Sequence, residues 1–366
     1  MNQKDIVQAE CLKKIINKKR CCTVLGTGSG KTMLALKHMM QQYTDLSLFL
    51  VVCPTKAIKD GWIKEIKDND LDFLLNHITF STYLSLHKQD YKNTDWVYFD
   101  ESHNLKFTHE PWLQLYEGNI LALTGTPPKN KQQENYILTD RYFPIAFNFG
   151  IDAAIAQKML NDYRIHIHQL KLSEKTTHKA KFGMTSESKA YTSICRRLDK
   201  TPNTANKILR MKTLQGFNTK VLYAKMLLEV QENKTLVFTD YTEQADKICK
   251  YSYHSKNKNS KNNLEMFKSG EITKLASVQQ LNEGVNIPNL KVGIIMHSYA
   301  NEKKLPQKIG RLLRLNPNDT ADIHILVYQN TVDMDWLKNA LKSFDKNKIF
   351  TYDTRKTVDA FKRLHS

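Results

Sequence analysis

The chain has 366 residues, enough for two domains at about 150 residues each, and its 41% apolar and 25% charged content is that of an ordinary globular protein. Its 55 Lys and Arg against 37 Asp and Glu give a net charge of +18, which excludes a net-acidic solvating protein and points to a polyanionic partner. No apolar run reaches the ~18 residues of a membrane span, and the N-terminus MNQKDIVQAE lacks the apolar core of a signal peptide. The six Cys (Cys11, Cys21, Cys22, Cys53, Cys195, Cys249) form no C-x-x-C pair, so a reduced cytoplasmic compartment is expected, with neither a disulfide framework nor a zinc ribbon.

The first half alternates strands and helices. CCTVLG (21–26) is a short apolar strand ending in Gly, and TMLALKHMMQQ after Lys31 has helical spacing. SLFLVVCP (47–54) is a continuous β-branched and aromatic run stopped by Pro, the pattern of a buried parallel strand. AIKDGWIKEI reads as a helix, and HITFSTY (77–83), WVYFDE (96–101) and ILALTGTPP (120–128) as further strands. This βαβ alternation predicts an α/β fold, a mainly parallel sheet with helices on both faces.

A second series follows. RIHIHQLKL (164–172) alternates like a strand with one exposed face, and residues 187–231 are mostly helical in pattern. KTLVFTD (234–240) is a strand, YTEQADKICKY a helix, and SKNKNSKNN (255–263) a polar low-complexity loop. Strands are expected at KLASVQQ, VGIIMHS and DIHILVY, and from Asp333 onward a helix, a short connector and a second helix. The break falls near residues 144–163, giving domains at 1–150 and 151–366. The second includes a basic helical connecting segment over about 151–233 and a helical tail. Residues 1–150 carry 18 Lys and Arg against 16 Asp and Glu, and residues 151–366 carry 37 against 21, so nearly all the excess charge lies in the second half. A basic second half suits a phosphate backbone.

Thr27-Gly28-Ser29-Gly30-Lys31-Thr32 sits between a predicted strand and a predicted helix, the context of a phosphate-binding loop. Glycines let backbone N–H groups point at phosphate oxygens, and the helix N-terminus favours the anion. Lys31 would reach the β- and γ-phosphates, and Thr32 would hold Mg²⁺ through its hydroxyl. Leu25 stands where the full G-x-x-x-x-G-K-T pattern has Gly. Asp100 and Glu101 close the WVYF strand at its carboxyl end, where ligands bind in open α/β sheets. Asp100 would anchor Mg²⁺, and Glu101 would orient and activate the attacking water.

With these residues in place, the chain resembles superfamily 2 helicases, in the broad DEAD-like group that includes phage branch-migration helicases and restriction-enzyme motor subunits. The match spans nearly the whole chain and keeps the family's motif order. Gln8 in IVQAECL looks like the adenine-reading Gln, and TGSGKT (27–32) like motif I. VVCPTKAIKDGW (51–62) looks like motif Ia, DESH (100–103) motif II, LTGTP (123–127) motif III and TLVFTD (235–240) motif IV. LNEGVNIP (281–288) resembles motif V and QKIGRLLR (307–314) motif VI.

The resemblance implies two tandem RecA-like domains with ATP in the cleft between them. It makes Arg311 and Arg314, three apart on a helix and hence on one face, the arginine fingers. Gly284 and Asn286 would approach the nucleotide. Asn286 replaces an Asp of many relatives; it hydrogen-bonds but cannot pair ionically with a finger. His103, Thr124 and Thr126 would couple hydrolysis to domain closure. Pro54, Thr55, Lys56, Ser81, Thr82, Gln279 and Gln280 would grip the nucleic-acid backbone, hydroxyls, amides and Lys being suited to sequence-independent contact. Tyr191, Arg196 and Arg197 in the basic segment are candidates for duplex contact.

The function so implied is a Mg²⁺-dependent, nucleic-acid-stimulated ATPase that unwinds or remodels DNA, or RNA in second place, working as a monomer with room for a protein partner. Two rivals are a duplex translocase that does not unwind and an ATP-gated switch that hydrolyses slowly. His166 and His168 alternate on one strand face without further placed ligands, so no metal site is assigned to them. Cys21 and Cys22 read as buried strand residues, and Trp336, Leu337 and Leu341 as packing residues at helical spacing.

Overall fold

The computed structural model describes residues 3–354, apart from 27–28, 126, 128–130, 151–152, 154–161, 177, 181–182, 279–286, 300–304, 306–307, 310–311, 313–318 and 343. The chain divides into two compact units, Met1–Leu160 and Asn161–Ser366.

In the first unit the order is α1 (Gln3–Ile15), β1 (Arg20–Leu25), α2 (Lys31–Gln42), β2 (Phe49–Cys53), α3 (Lys56–Asp68), β3 (Ile78–Thr82), β4 (Trp96–Phe99), α4 (Glu110–Leu115), β5 (Asn119–Thr124), α5 (Glu134–Tyr142) and β6 (Ile145–Phe149). All strands are parallel, in the order β3-β2-β4-β5-β1-β6. The continuous apolar runs of β2 and β4 are wholly buried, as strands covered on both faces must be. Val52, Phe99, Ile120, Leu138 and Phe143 meet in one core cluster. Because β4, β5 and β1 are neighbours, their carboxyl ends lie side by side along one edge. Leu25, at the position where the loop pattern has Gly, is the last residue of β1 and fully buried, so it serves the core while Gly26 begins the turn. β6, in a stretch that reads as interdomain linker, pairs with β1 and belongs to this sheet.

The second unit comprises β7 (Asp162–Leu170), β8 (His178–Ala180), β9 (Gly183–Thr185), α6 (Glu187–Lys200), α7 (Thr204–Gln215), α8 (Asn218–Glu229), β10 (Thr235–Thr239), α9 (Thr242–Ile248), β11 (Ser252–Tyr253), α10 (Ser260–Ser269), β12 (Lys274–Val278), β13 (Val292–Ile295), β14 (Thr320–Tyr328), α11 (Val332–Ala340) and β15 (Ile349–Asp353). Seven of these strands form a parallel sheet in the order β11-β12-β10-β13-β14-β7-β15, and β8 and β9 pair antiparallel outside it. No helix of the described residues is long and apolar enough to cross a membrane.

The strand expected at 164–172 is β7 at 162–170, and the helical pattern of 187–231 is three helices from Glu187 to Glu229. Three expectations change here. β7 lies between β14 and β15, and its polar face is buried toward its carboxyl end, where His168 meets Tyr223 of α8, while Arg164 stays exposed. The polar run 255–263 becomes helical at Ser260, where buried Asn263 donates to the Ser252 carbonyl at 2.9 Å. The connector after α11 contains β15, which pairs with β7; the second tail helix falls on residues 355–366, outside the described ones. Cys21 and Cys22 are buried, all six Cys are free, and Leu337 and Leu341 are packed inward.

Candidate active site

The turn after β1 is closed by Ser29, whose N–H and hydroxyl both donate to the Gly26 carbonyl. Gly30 caps α2 at φ +79°, and a Cβ there would sit 2.4 Å from the Gln8 amide nitrogen. Only glycine meets both the left-handed backbone and that close approach. Buried Gln8 on α1 donates to the carbonyls of Ser29 (3.1 Å) and Gly30 (3.2 Å) and accepts from Lys37 Nζ (2.8 Å). Its amide therefore braces the loop backbone. Thr27 and Gly28 lie outside the described residues.

Lys31, the first residue of α2, donates from Nζ to Glu101 Oε1 at 2.6 Å, and Thr32 follows on the same turn. Glu101 follows β4 and Asp100 with a left-handed φ of +50°, rare for a residue with a side chain. That turn takes it off the strand line, and Asn104 N–H and Nδ2 both donate to its carbonyl. Its second oxygen, Oε2, is 3.3 Å from His103 Nδ1, which is also 3.1 Å from Thr124 Oγ1 at the end of β5. Residues from the ends of two adjacent strands, β4 and β5, and from the α2 N-terminus thus meet through side chains. Thr126 lies outside the described residues.

Asp100 is buried, and each carboxylate oxygen takes one hydrogen bond: Oδ1 from the Glu101 N–H at 2.9 Å, Oδ2 from the Trp62 indole N–H at 2.7 Å. Tyr83 donates from its hydroxyl to the Asp100 carbonyl at 2.7 Å. Burial pushes the Asp100 carboxyl upward, and the adjacent Glu101 charge adds to this. Burial raises Glu101 too, but the Lys31 ammonium, with His103 behind it, outweighs burial and holds it below the usual carboxylate range. The two carboxyls are pushed apart, the arrangement that lets neighbouring acids take different roles. Sequence reading missed Trp62 and Tyr83. The available signal was that a buried indole N–H needs an acceptor, but sequence does not name it.

Pro54, Thr55 and Lys56 follow β2, and Ser81 and Thr82 end the neighbouring β3, with Cys53 in register with Thr82. They share one sheet edge. Thr55 also caps α3, accepting from Ile58 N–H, and Ser81 donates to the Thr82 carbonyl.

In the second unit, Asp240 follows β10 and accepts from the Tyr299 hydroxyl at 2.6 Å and from Gln215 Nε2 at 2.8 Å. Lys308 Nζ donates to the same Tyr299 hydroxyl. Lys308, Ile309 and Leu312 of the QKIGRLLR segment are buried. A Cβ on Gly293 of β13 would come within 2.1 Å of Leu312, so this strand needs glycine for the segment to pack. Arg311 and Arg314 lie outside the described residues, as do Gln279, Gln280, Gly284 and Asn286. Tyr191 is a packing residue whose hydroxyl accepts from Val332 N–H, whereas Arg196 and Arg197 are exposed. His166 and His168 contact Asp322, Tyr352, Tyr223 and His324; among the described residues no group of three or more His, Cys, Asp or Glu could hold a metal ion.

Two family models match the chain. One is described as "Type III restriction enzyme, res subunit" and covers residues 3–129; the other, "Helicase conserved C-terminal domain", covers residues 210–316. The chain is 26% identical to a DNA 3'-5' translocase XPB2 of Sulfurisphaera tokodaii, over 89% of this chain and 82% of the relative. Among solved structures, the ATP-dependent Type ISP restriction-modification enzyme LlaBIII bound to DNA superposes with a TM-score of 0.64 at 14% identity, covering 99% of this chain and 32% of that one. The Pyrococcus furiosus Hef helicase domain gives 0.51 at 14% identity, covering 93% and 97%.

Proposed function

The chain belongs to superfamily 2 of the helicases, with two RecA-like units, and from that premise we propose that it is a Mg²⁺-dependent, nucleic-acid-stimulated ATPase that works as a DNA helicase or translocase. The observation that carries this reading is the set of contacts where β4, β5 and β1 end: Lys31 with Glu101, Glu101 with His103, His103 with Thr124, and Asp100 held beside them.

Each residue then has a role. The loop Thr27-Gly28-Ser29-Gly30 cradles phosphates through its N–H groups, and Lys31 pairs with the β- and γ-oxygens. A phosphate chain competes with Glu101 for the same ammonium. Once Lys31 turns to phosphate, Glu101 Oε1 is freed to accept a proton from the attacking water. Gln8 reads the adenine edge. The residues present fit a divalent cation: a buried carboxylate with spare lone pairs at Asp100 and a hydroxyl at Thr32, few protein ligands being usual for Mg²⁺. Bound there, Mg²⁺ supplies charge neutralisation between the phosphates. Arg311 and Arg314 are assigned to stabilise charge on the transferring phosphoryl group, and Gly284 and Asn286 to approach the nucleotide. His103, Thr124 and Thr126 report the state of Glu101 to the rest of the fold. Pro54, Thr55, Lys56, Ser81, Thr82, Gln279 and Gln280 hold the polymer backbone.

A second reading, translocation along duplex without strand separation, is favoured by the likeness to the Sulfurisphaera tokodaii DNA 3'-5' translocase, which is matched over most of both chains. Displacement of a third strand from a DNA triplex in ATP and Mg²⁺, run beside unwinding of a tailed duplex, tests both. Triplex displacement is expected; failure of both reactions in the presence of active ATP turnover would sink the motor reading.

A further inference from the structure

The second unit carries an elaboration between β7 and α8: the β8–β9 hairpin and the helices α6 and α7. It is strongly and one-sidedly basic. α6 and α7 hold seven Lys and Arg against Glu187 and Asp199. Glu187 is buried and already accepts from Ser173 N–H, Thr219 N–H and the Thr219 hydroxyl, so it does not face the solvent charges. Between the hairpin and the helices lies an open groove of about 510 Å³. Lys179 reaches it from β8, and Lys189, Ser193 and Arg197 line it from α6 at successive i+4 positions, which share one helix face. Thr185 and Thr213 add hydroxyls, and among the described residues no carboxylate lines the groove. Lys179, Lys189 and Arg197 are exposed and, among the described residues, are in no ion pair.

Three cations without an ion pair and three hydroxyls, in a lining that holds no carboxylate among the described residues, fit a row of phosphates. Among the described residues the groove has no Phe, Tyr or Trp lining, and its one imidazole, His178, packs edge-on against Phe217, whereas single strands are held by stacking bases on open rings. A duplex, whose bases are stacked inside and whose phosphates face out, asks only for the charges and donors present here. We propose that this groove is a duplex-backbone docking surface that anchors the double-stranded arm of the substrate on the second unit. The inference rests on the helicase reading and adds a contact outside the motifs that define it.

The test uses the full chain with Lys179, Lys189 and Arg197 all changed to Ala, and a control with Lys256, Lys258 and Lys261, exposed elsewhere on the same unit, changed to Ala. Binding to a blunt DNA duplex and to a single-stranded oligonucleotide of equal length is followed by fluorescence anisotropy across a salt series. At a slope of about 0.9 per neutralised phosphate, the groove variant should lose roughly two to three units of duplex salt dependence. Its single-strand affinity should stay within about twofold, and its polymer-free ATP turnover and melting temperature should match wild type. An unchanged duplex slope, an equal loss for single strand, or the same loss in the control would each overturn the groove's role. None of these would touch the motor reading, which stands or falls on whether polymers stimulate ATP turnover. If the triple variant melts early, the single changes Lys189→Ala and Arg197→Ala, each worth about one unit of slope, carry the test.

Discussion

The Trp62 indole N–H donates to Asp100 Oδ2 at 2.7 Å, and both side chains are buried. The bond ties the middle of α3 to the end of β4 and fixes the plane of a carboxylate that is proposed to hold Mg²⁺. A hydrogen bond to a charged group is worth about 1.5–3 kcal/mol. Trp62→Phe keeps most of the packing volume and removes only the donor. Its half-saturating Mg²⁺ concentration should rise about tenfold, by the lower end of that range, and its melting temperature should fall by a few degrees because buried Oδ2 loses its donor. A Mg²⁺ titration of nucleotide binding by calorimetry reads this directly, and an unchanged midpoint would remove Trp62 from the site.

Glu101→Gln keeps the size of the side chain but can neither hold a proton nor pair ionically with Lys31. Turnover should fall by about 10² to 10⁴, the usual worth of a general base. ATP affinity should hold or rise, because Lys31 is released toward phosphate. Single-turnover hydrolysis alongside equilibrium binding separates the two effects; wild-type turnover would refute the role.

Arg311→Ala should leave nucleotide affinity nearly intact and lower turnover by ~10³ or more, the scale of an arginine finger. Arg314→Ala serves as its partner experiment. If only one variant collapses, that residue is the finger; if neither does, the site lacks one.

Burial lowers His38 and His168 to about 4 and His324 to about 3, His168 and His166 adding to the last. These rings are neutral when folded but take protons near pH 6.5 when unfolded. Between about pH 6.5 and 4 the unfolded chain therefore binds more protons, and stability falls as pH drops through that window. Asp100, pushed upward by burial, works in the opposite sense as a single group, whereas burial also lowers His109 and His297. Thermal melting from pH 8 to 5 should be flat above about 6.5 and fall by several degrees below it. A rising melting temperature on acidification would contradict the assignment.

Much of the fold is legible in the sequence. The apolar run at 47–54 reads as a buried parallel strand and 96–101 as a further strand, and both are wholly buried over β2 and β4, while the glycine loop and the Asp-Glu pair carry the proposed chemistry. What stayed hidden depends on partners distant in sequence. Trp62 and Asp100 are 38 residues apart and meet because β2 and β4 are neighbours, with Val52 opposite Phe99. β15 reads as a connector because Lys-Ile-Phe-Thr-Tyr-Asp is short and half polar; it becomes a strand only by pairing with β7. The polar run at 255–263 gives no apolar period, yet Asn263 folds inward because the Ser252 carbonyl is there to accept its amide.

The most direct measurement is steady-state ATP hydrolysis with Mg²⁺, comparing no polymer, single-stranded DNA, duplex DNA, forked DNA and RNA, with Glu101→Gln as the blank. Turnover stimulated severalfold or more by DNA, and abolished in the blank, is the predicted result. Slow turnover indifferent to every polymer would contradict the motor and leave an ATP-gated switch in its place.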